Sequence, residues 1–368
     1  MKNPSATTQV TKGSGRPDGG DFFVTKPGKI TLAGGITFMG RIPEWQSDGV
    51  IGEAVFNTGM TGYVETLTDP SYAGQILVFT FPLLGNYGVP DKSTWESSKI
   101  HLRGVIVSEL SEKWSHEGSL QSLGAWLREQ NVPIITDVDT RALTKYLRTR
   151  GTMAGVITAA EATPNLESAK LETIKVSIDK AEILNPDQPK TVIAVDCGMK
   201  QNILRHLTGL DLTVKHVPHD YDYTAEDYDG VFISNGPGDP TDYPETIAIL
   251  KKALAKDKPV FGICLGTQLM GLAAGGTTYK LRFGNRGHNQ PAITEDGKGY
   301  ITSQNHGYAL AEDSLPESWN VTFRNLNDNS VEGIEHAEKP FFAVQFHPEA
   351  APGPTDTAWL FKKFQEML

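Results

Sequence analysis

Residues 259–270 (PVFGICLGTQLM) place a cysteine in a setting that favours nucleophilic chemistry. The apolar first half predicts a strand, and the helix formers after Cys264 predict a helix. Gly262 and Gly266 flank the cysteine, and a tight turn needs residues without Cβ where backbone segments approach. Strand, turn and helix make the geometry of a nucleophile elbow, whose helix N-terminus favours the reactive thiolate. On this stretch alone, a buried structural cysteine is an equally good interpretation.

A histidine and a carboxylate near the C-terminus could serve such a cysteine. Residues 341–346 (FFAVQF) predict a strand that ends directly before His347, and Glu349 follows two residues later. Side chains at i and i+2 of an extended segment point to the same side. Glu349 could therefore accept from one ring nitrogen of His347 while the other faces a thiol, as a base and its orienting group do. The alternative is a surface His-Pro-Glu turn, so the spacing is informative only beside the cysteine.

Residues 234–240 (SNGPGDP) form a glycine loop directly after an apolar run. Gly236 and Gly238 free the backbone to aim amide N–H groups into a cleft. Hydrolysis of an amide needs such donors for the oxyanion of its tetrahedral intermediate, and one donor is worth about 10²–10³ in rate. The alternatives are a turn without a ligand and a phosphate loop, but the spacing matches neither the P-loop nor the dinucleotide fingerprint.

The elements around these motifs indicate two domains. Short strands and turns dominate the first half, with helices expected at 119–130 and 140–148 and with Asp139 or Thr140 as a helix N-cap. In the second half, apolar runs alternate with helices, which predicts βαβ units with chemistry at the carboxyl ends of the strands. We expect an α/β protein with a disordered tail (1–20), an N-terminal β-rich α/β domain (21–180), a linker (181–190) and a C-terminal domain with a doubly wound, mostly parallel sheet (191–368).

The composition excludes several classes of protein. The formal net charge of -10 over 368 residues argues against nucleic acid or an anionic membrane surface as partner, and no apolar run is long enough to span a bilayer. Cys197 and Cys264 are the two cysteines, which is no disulfide framework and favours a reducing compartment. The nine histidines show no H-E-x-x-H or C-x-x-C spacing, so we predict no metal site.

The motifs together resemble those of a known family. FGICLGTQLM, SNGPGDP and FHPE are similar to the motifs of the class I (triad-type) glutamine amidotransferases, which have a flavodoxin-like fold. The chain resembles more closely the small, glutaminase subunit of carbamoyl-phosphate synthetase, or the equivalent domain of the fused enzyme, over roughly residues 25–366. This closer resemblance rests on FNTGMTG (56–62), LTDPSY (67–72), DVDTRALT (137–144), GNRGHN (284–289), TSQNHGY (302–308) and PEAAPGP (348–354).

The resemblance implies roles for individual residues. Cys264 would be the nucleophile, His347 the base and acid, and Glu349 the group that orients it. The sequence departs from the family at Thr267, where relatives often have histidine, and at Tyr308, where they often have phenylalanine. Glutamine would be held by Ser71, Gly236, Gly238, Leu265, Gln268, Asn305, Gly307 and Tyr308.

The resemblance also implies a partner. Ammonia released from glutamine would pass to the large synthetase subunit or a fused synthetase domain, where ATP and Mg²⁺ act, and this chain itself would need no cofactor. The product would be carbamoyl phosphate for pyrimidine or arginine synthesis. We expect a cytoplasmic protein, with the mitochondrial matrix as the alternative.

Two other functions remain as alternatives. An amidotransferase of another synthase, such as anthranilate or GMP synthase, would lack the N-terminal domain with TDPSY and DTR. A non-catalytic scaffold with this fold would not need Cys264, His347 and Glu349 together. Whether the partner is a separate chain, which pathway is served and which oligomer forms are left open.

Overall fold

The structure is a computed structural model that describes residues 24–46, 49–163, 166, 171 and 173–368. The tail predicted at 1–20 lies outside the described residues. In the described part, no helix is both long and apolar enough to cross a membrane.

The first half of the chain is built on a seven-stranded mixed sheet. Its elements in chain order are β1 (Thr25–Leu32), β2 (Thr37–Pro43), β3 (Val50–Asn57), α1 (Tyr63–Thr68), β4 (Gln75–Phe79), β5 (Leu83–Leu84), β6 (Val89–Pro90), β7 (Gly104–Ile106), β8 (Glu109–Leu110), β9 (Ser119–Gln121), α2 (Leu123–Glu129), β10 (Ile134–Ile135), α3 (Thr140–Arg150) and β11 (Met153–Ala159).

The strand order of this first sheet is β10-β7-β4-β3-β11-β1-β2. Strands β3, β4, β7 and β10 run parallel, whereas β11, β1 and β2 extend the sheet antiparallel. One face buries side chains of α1 and α2 such as Leu67 and Trp126, and the other buries Leu143 and Leu147 of α3. Asp139 caps α3 by accepting from the N–H of Ala142 at 2.8 Å, as the sequence predicts.

The second half is built on a ten-stranded sheet. Its elements are β12 (Glu182–Leu184), β13 (Lys190–Asp196), α4 (Gln201–Thr208), β14 (Leu212–Pro218), β15 (Gly230–Ile233), α5 (Pro244–Leu254), β16 (Val260–Ile263), α6 (Leu265–Ala274), β17 (Thr278–Thr294), β18 (Gly299–Leu310), β19 (Trp319–Asn325), β20 (Val331–His336), β21 (Phe341–Val344) and α7 (Trp359–Met367).

The central strands of this second sheet run parallel in the order β14-β13-β15-β16-β21. Helices α5 and α6 cover one face, and α4 and α7 cover the other, where Phe361 and Phe364 pack on Phe232 and Phe261. Burying each of these rings stabilises the fold by about 1.5–3 kcal/mol. The expected doubly wound α/β fold is confirmed. An antiparallel extension, β20-β19-β17-β18, continues the sheet beyond β21 and was not expected.

The segment predicted as a linker, 181–190, contains a strand. Glu182–Leu184 form β12, which pairs antiparallel with β14 at the edge of the second sheet. Three residues are too short for a periodic pattern, so the sequence around the prolines indicated only a connection.

Candidate active site

Cys264 stands alone between β16 and α6, at the carboxyl end of a central parallel strand. Its φ of 54° and ψ of -103° are a strained conformation for a residue with a side chain, of the kind that collects at functional sites. A Cβ on Gly266 would lie 2.2 Å from the carbonyl oxygen of Ile233, and one on Gly262 would lie 2.8 Å from the carbonyl carbon of Gly266. Both glycines are therefore needed for this turn to close.

Helix α6 begins at the residue after Cys264. The carbonyl of Cys264 accepts from the N–H of Thr267 at 3.1 Å, so the residue serves as the N-cap of α6. The N–H groups of a helix's first turn have no acceptor within the helix and carry its partial positive charge. This end of α6 therefore stabilises negative charge near the sulfur. In the structure the thiol donates to the carbonyl oxygen of Asn305 at 3.6 Å.

His347 and Glu349 form a buried pair behind the cysteine. Nδ1 of His347 lies 2.6 Å from Oε1 of Glu349, and each side chain is at most 2% exposed. Nε2 of His347 has no hydrogen-bond partner among the described residues. Strand β21 delivers the histidine next to the cysteine, because the N–H of Cys264 donates to the carbonyl oxygen of Val344 at 2.9 Å. The ring nitrogen that is not held by Glu349 is thus free to exchange a proton with the thiol.

The charges of the pair support one another. Burial disfavours an imidazolium, but the Glu349 carboxylate and then the Cys264 side chain more than offset it and raise the pKa of His347. Burial alone would raise the pKa of Glu349, but the charges of Lys200 and His347 outweigh burial and hold that pKa below its usual value. A buried imidazolium beside a carboxylate and a thiol is the arrangement in which a cysteine is activated by a base and its orienter.

Lys200 is a buried member of this cluster that the sequence analysis missed. Its Nζ lies 3.0 Å from Oε1 of Glu349 and also donates to the carbonyl of Ala350. Its position between β13 and α4 puts it at the carboxyl edge of the parallel sheet, where ligands bind in such folds. The sequence signal that could have identified Lys200 as a site residue was its place in the loop between this strand and this helix.

A cleft of about 220 Å³ opens beside Cys264. Ser71 reaches it from the first domain, so both domains build its walls. His347 and Glu349 are not among its walls, because they lie behind the cysteine. All eight residues predicted to hold glutamine line it: Ser71, Gly236, Gly238, Leu265, Gln268, Asn305, Gly307 and Tyr308.

Hydrogen bonds fix several of these walls. Nε2 of Gln268 donates to the carbonyl of Tyr308 at 2.9 Å, and Nδ2 of Asn305 donates to Oδ2 of Asp69 at 2.8 Å. Ser71 Oγ accepts from Nδ2 of Asn235 at 2.8 Å. The Asn305 and Ser71 bonds cross between the two halves of the chain and connect them at the cleft.

The glycine loop approaches the cleft with its backbone. A Cβ on Gly236 would lie 2.1 Å from the carbonyl oxygen of Cys197, and Gly238 has a φ of 87°. No other residue type fits Gly236 without moving the main chain, and φ at Gly238 favours glycine. The loop can therefore present peptide groups to a ligand beside Cys264.

Charged side chains of both signs also line the cleft, and the sequence analysis did not find them. Arg286 is 5% exposed, and its Nε has no hydrogen-bond partner among the described residues. Glu53 accepts from Nζ of Lys280 at 2.7 Å. Asp239 and Asp242 also line the cleft. A zwitterionic ligand such as an amino acid finds charges of both signs here. Within the described ranges, no group of three or more His, Cys, Asp and Glu side chains could hold a metal ion.

Two family models match the two halves of the chain. The model of the class-I glutamine amidotransferase family matches residues 193–367. The model of the carbamoyl-phosphate synthase small chain, CPSase domain, matches residues 30–157. A solved glutamine amidotransferase from Thermotoga maritima is similar at 18% identity with a TM-score of 0.35, covering 44% of this chain and 77% of that chain.

Curated relatives match along most of the chain. The multifunctional protein CAD of Squalus acanthias is 47% identical over 353 residues, which cover 92% of this chain and 16% of that protein. The chain thus spans only a small part of such multifunctional relatives. The carbamoyl phosphate synthase arginine-specific small chain of Yarrowia lipolytica is 44% identical over 367 residues, which cover 92% of this chain and 82% of that protein. With that identity over nearly the whole of both chains, the protein belongs to the carbamoyl-phosphate synthase small-chain family and carries a class-I glutamine amidotransferase domain in its second half.

Proposed function

We propose that this chain hydrolyses glutamine to glutamate and ammonia and passes the ammonia to a synthetase that makes carbamoyl phosphate. One observation carries the proposal. Cys264 stands in a strained elbow, with the buried His347–Glu349 pair behind it and a cleft in front whose walls include all eight predicted glutamine residues. Nucleophile, base, orienting group and substrate pocket thus converge on one sulfur atom.

The first half of the reaction forms a thioester. The Cys264 thiolate attacks the side-chain carboxamide carbon of glutamine, a C–S bond forms, and the carbonyl electron pair moves onto the oxygen. Peptide N–H groups of Leu265 and of the loop at Gly236 and Gly238 stabilise this oxyanion. The imidazolium of His347 gives its proton to the amide nitrogen, the C–N bond breaks, and ammonia leaves a γ-glutamyl thioester.

The second half regenerates the cysteine. His347, now neutral, takes a proton from water as the water oxygen attacks the thioester carbon. The C–S bond then breaks, glutamate leaves, and the thiolate–imidazolium pair is restored. Glu349 keeps Nδ1 of His347 occupied throughout, so that the same Nε2 first gives and then takes the proton.

The cleft suits the rest of the substrate. Free glutamine carries a carboxylate and an ammonium, and the walls offer Arg286 and Lys280 as cations and Glu53, Asp239 and Asp242 as anions. Backbone groups of the segment around Gly307 supply further polar contacts. This supports a free amino acid rather than a glutamine within a peptide as the substrate.

The names of the relatives support the use of the ammonia. A carbamoyl phosphate synthase small chain and a multifunctional protein CAD each match over 92% of the chain. We therefore propose a carbamoyl-phosphate synthetase large subunit, or a fused synthetase domain, as the partner. Bicarbonate, ATP and Mg²⁺ would act there, and pyrimidine or arginine synthesis would use the product.

A glutaminase assay with and without the partner tests the proposal. We expect the chain to release glutamate from glutamine, and the Cys264→Ala variant to release none above background. With the partner, bicarbonate and ATP, the variant should lose carbamoyl phosphate formation from glutamine and keep formation from ammonium salts. Glutamine-dependent product formation by the variant would remove Cys264 from the mechanism. If the chain instead supplied ammonia from glutamine to another synthase, such as anthranilate or GMP synthase, with full product formation, it would be the amidotransferase of that synthase.

A further inference from the structure

Glu96 reaches from the first domain into the second and is completely buried. Its Oε2 accepts from the N–H of Asn202 at 3.1 Å, and its Oε1 lies 3.1 Å from Nη1 of Arg205. Its own carbonyl accepts from the N–H of Gln201 at 2.8 Å. Glu96 thus supplies acceptors for the first turn of α4, because the side chain of the N-cap residue Lys200 does not cap the helix.

The same carboxylate lies beside the buried lysine of the candidate active site. Nζ of Lys200 is 3.9 Å from Oε2 of Glu96 and 3.0 Å from Oε1 of Glu349. That Oε1 is the atom 2.6 Å from Nδ1 of His347. All four side chains are at most 3% exposed. A continuous row of buried charges therefore runs from the first domain to the imidazole beside Cys264.

Lys200 is shared between two carboxylates, and this sharing sets how strongly Glu349 acts on His347. Charges in a protein interior are weakly screened, so each member of the row feels the others. If Glu96 lost its charge, the ammonium of Lys200 would be balanced chiefly by Glu349. The net negative charge near His347 would then be smaller, and the imidazolium would be less stable.

Other ionisable groups surround this row. Burial raises the pKa of Glu96 to about 7 despite Lys200. Asp69 and Glu65 of the first domain act on Lys200, and Arg205 faces Glu96 from α4. Two histidines also interact with the row: His206 with Glu349 and Lys200, and His288 with Lys200.

We infer that Glu96 is a positioning residue through which the first domain orients Glu349 and His347, acting by way of Lys200. The catalytic role that this inference gives to Glu96 rests on the proposed glutaminase function. In physical terms, the first domain does more than complete the cleft, because it supplies a charge that tunes the imidazole behind the nucleophile.

The test replaces Glu96 by its neutral isostere. Well above pH 7, where Glu96 carries its charge, we expect kcat of Glu96→Gln for glutamine hydrolysis to be about tenfold below wild type while KM changes less than about twofold, because orientation and not binding is lost. The alkaline limb of the pH profile of kcat, which reports loss of the imidazolium proton, should move to lower pH by about half a unit or more. An unchanged limb and an unchanged kcat would overturn the inference.

Arg205→Met is the matched control for loosening the interface. It removes contacts of Arg205 to Glu96, Ser93 and Trp95 and leaves the Glu96–Lys200 pair in place. We expect this variant to unfold at lower urea concentration, with an alkaline limb that stays or moves to higher pH. A shift to lower pH as large as that of Glu96→Gln would assign the effect to the interface and overturn the inference.

Alkylation of Cys264 by iodoacetamide separates this inference from the proposed function. It is measured without glutamine, with Cys264→Ala as the background, and its alkaline inflection reports the same imidazole. Glu96→Gln should move that inflection to lower pH even in a protein that does not hydrolyse glutamine. If the inflection stays at its wild-type pH, Glu96 does not act on His347 by way of Lys200, whether or not the protein hydrolyses glutamine.

A double-variant comparison tests whether Glu96 acts by way of Lys200. Lys200→Met and Lys200→Met/Glu96→Gln differ by the Glu96 charge, but the path through Lys200 is absent from both. We expect the two to show the same alkylation inflection. A further shift to lower pH in the double variant, as large as that expected of Glu96→Gln, would mean that Glu96 acts without Lys200 and would overturn the inference.

Discussion

The side-chain hydroxyl of Thr267 donates a hydrogen bond to the carbonyl oxygen of Val344 at 2.6 Å. The same oxygen accepts from the N–H of Cys264 at 2.9 Å. The first turn of α6 is thereby tied to strand β21, which carries His347 three residues further on. Thr267, one of the two residues at which the resemblance implies a departure, therefore holds the elbow and the histidine strand together.

Thr267→Val keeps the shape of the side chain and removes its hydrogen bond. We expect a loss of about 1 kcal/mol in the free energy of unfolding and a fall of a few-fold in kcat, since the nucleophile and the base lose part of their alignment. Urea unfolding and initial rates of glutamate release measure the two effects. Thr208→Val is the control, because its hydroxyl donates to the carbonyl of Leu204 at 2.7 Å away from the site. Equal rate losses in the two variants would contradict the alignment role.

Glu349→Gln tests the charge that supports His347. Because the carboxylate raises the pKa of His347, the variant should lose the imidazolium at lower pH, and the alkaline limb of kcat should move down. We expect kcat at neutral pH to fall by about tenfold or more, part of what a positioned acid and base contribute. A pH profile of the initial rate decides, and a limb at the wild-type position would count against Glu349 as the orienting group.

The same substitution has a pH signature in stability. A raised folded pKa at His347 means that its stabilisation is complete below the unfolded value of about 6.5 and is lost as the pH rises through the folded value. The lowered folded pKa of Glu349 gives stabilisation that is present above about 4.3 and is lost as the pH falls. The difference in unfolding free energy between wild type and Glu349→Gln should therefore be largest between about pH 4.5 and 6.5. A difference that grows above pH 8 would contradict this assignment.

The elbow at Cys264, the strand before His347 and the glycine loop could be predicted from the sequence, because each is a local pattern. Cys264 follows an apolar strand and precedes a helix, and His347 follows another strand, so the carboxyl edge of one parallel sheet had to gather them. The eight residues that line the cleft were assigned from the family's motifs. Their roles in glutamine binding stay predictions, and Ser71→Ala tests the first of them.

Contacts between residues that are far apart in the chain could not be predicted from the sequence. Glu96 and Lys200 are far apart in the chain, and no periodicity relates them. Helix α2 was expected from residue 119, but Ser119–Gln121 form β9 and pair with β6. Ser122 caps the shorter helix by accepting from the N–H of Ala125 at 3.1 Å. A strand partner distant in the chain overrode the local helix pattern there.

Gly266→Ala tests the tight elbow. The added Cβ would lie 2.2 Å from the carbonyl oxygen of Ile233, a backbone atom that cannot move aside cheaply. We expect glutamine hydrolysis to fall by at least about a hundredfold, because a displacement of about 1 Å at a reacting group has that effect. Initial rates and circular dichroism measure activity and folding.

Gly275→Ala is the matched control at the other end of α6. Gly275 has a φ of 102° and no heavy atom within 4 Å of an added Cβ. We therefore expect only the cost of a strained φ, roughly 1–3 kcal/mol in unfolding free energy, with kcat unchanged. Near-normal activity in Gly266→Ala would show that the elbow tolerates a Cβ, against the packing described here.

Ser71→Ala tests whether the first domain touches the substrate. Ser71 lines the cleft, and its Oγ accepts from Nδ2 of Asn235, so its own proton remains available to a bound ligand. Losing one such hydrogen bond should raise KM for glutamine roughly three- to tenfold and leave kcat within about twofold. The control is Arg205→Met, which removes bonds from Arg205 to the carbonyls of Ser93 and Trp95 between the two halves of the chain and outside the cleft. This control should reduce stability and leave KM in place, because a loosened interface alone does not remove a substrate contact. If Arg205→Met raised KM as much as Ser71→Ala, the effect would belong to the interface, and Ser71 would lose its assignment as a glutamine ligand.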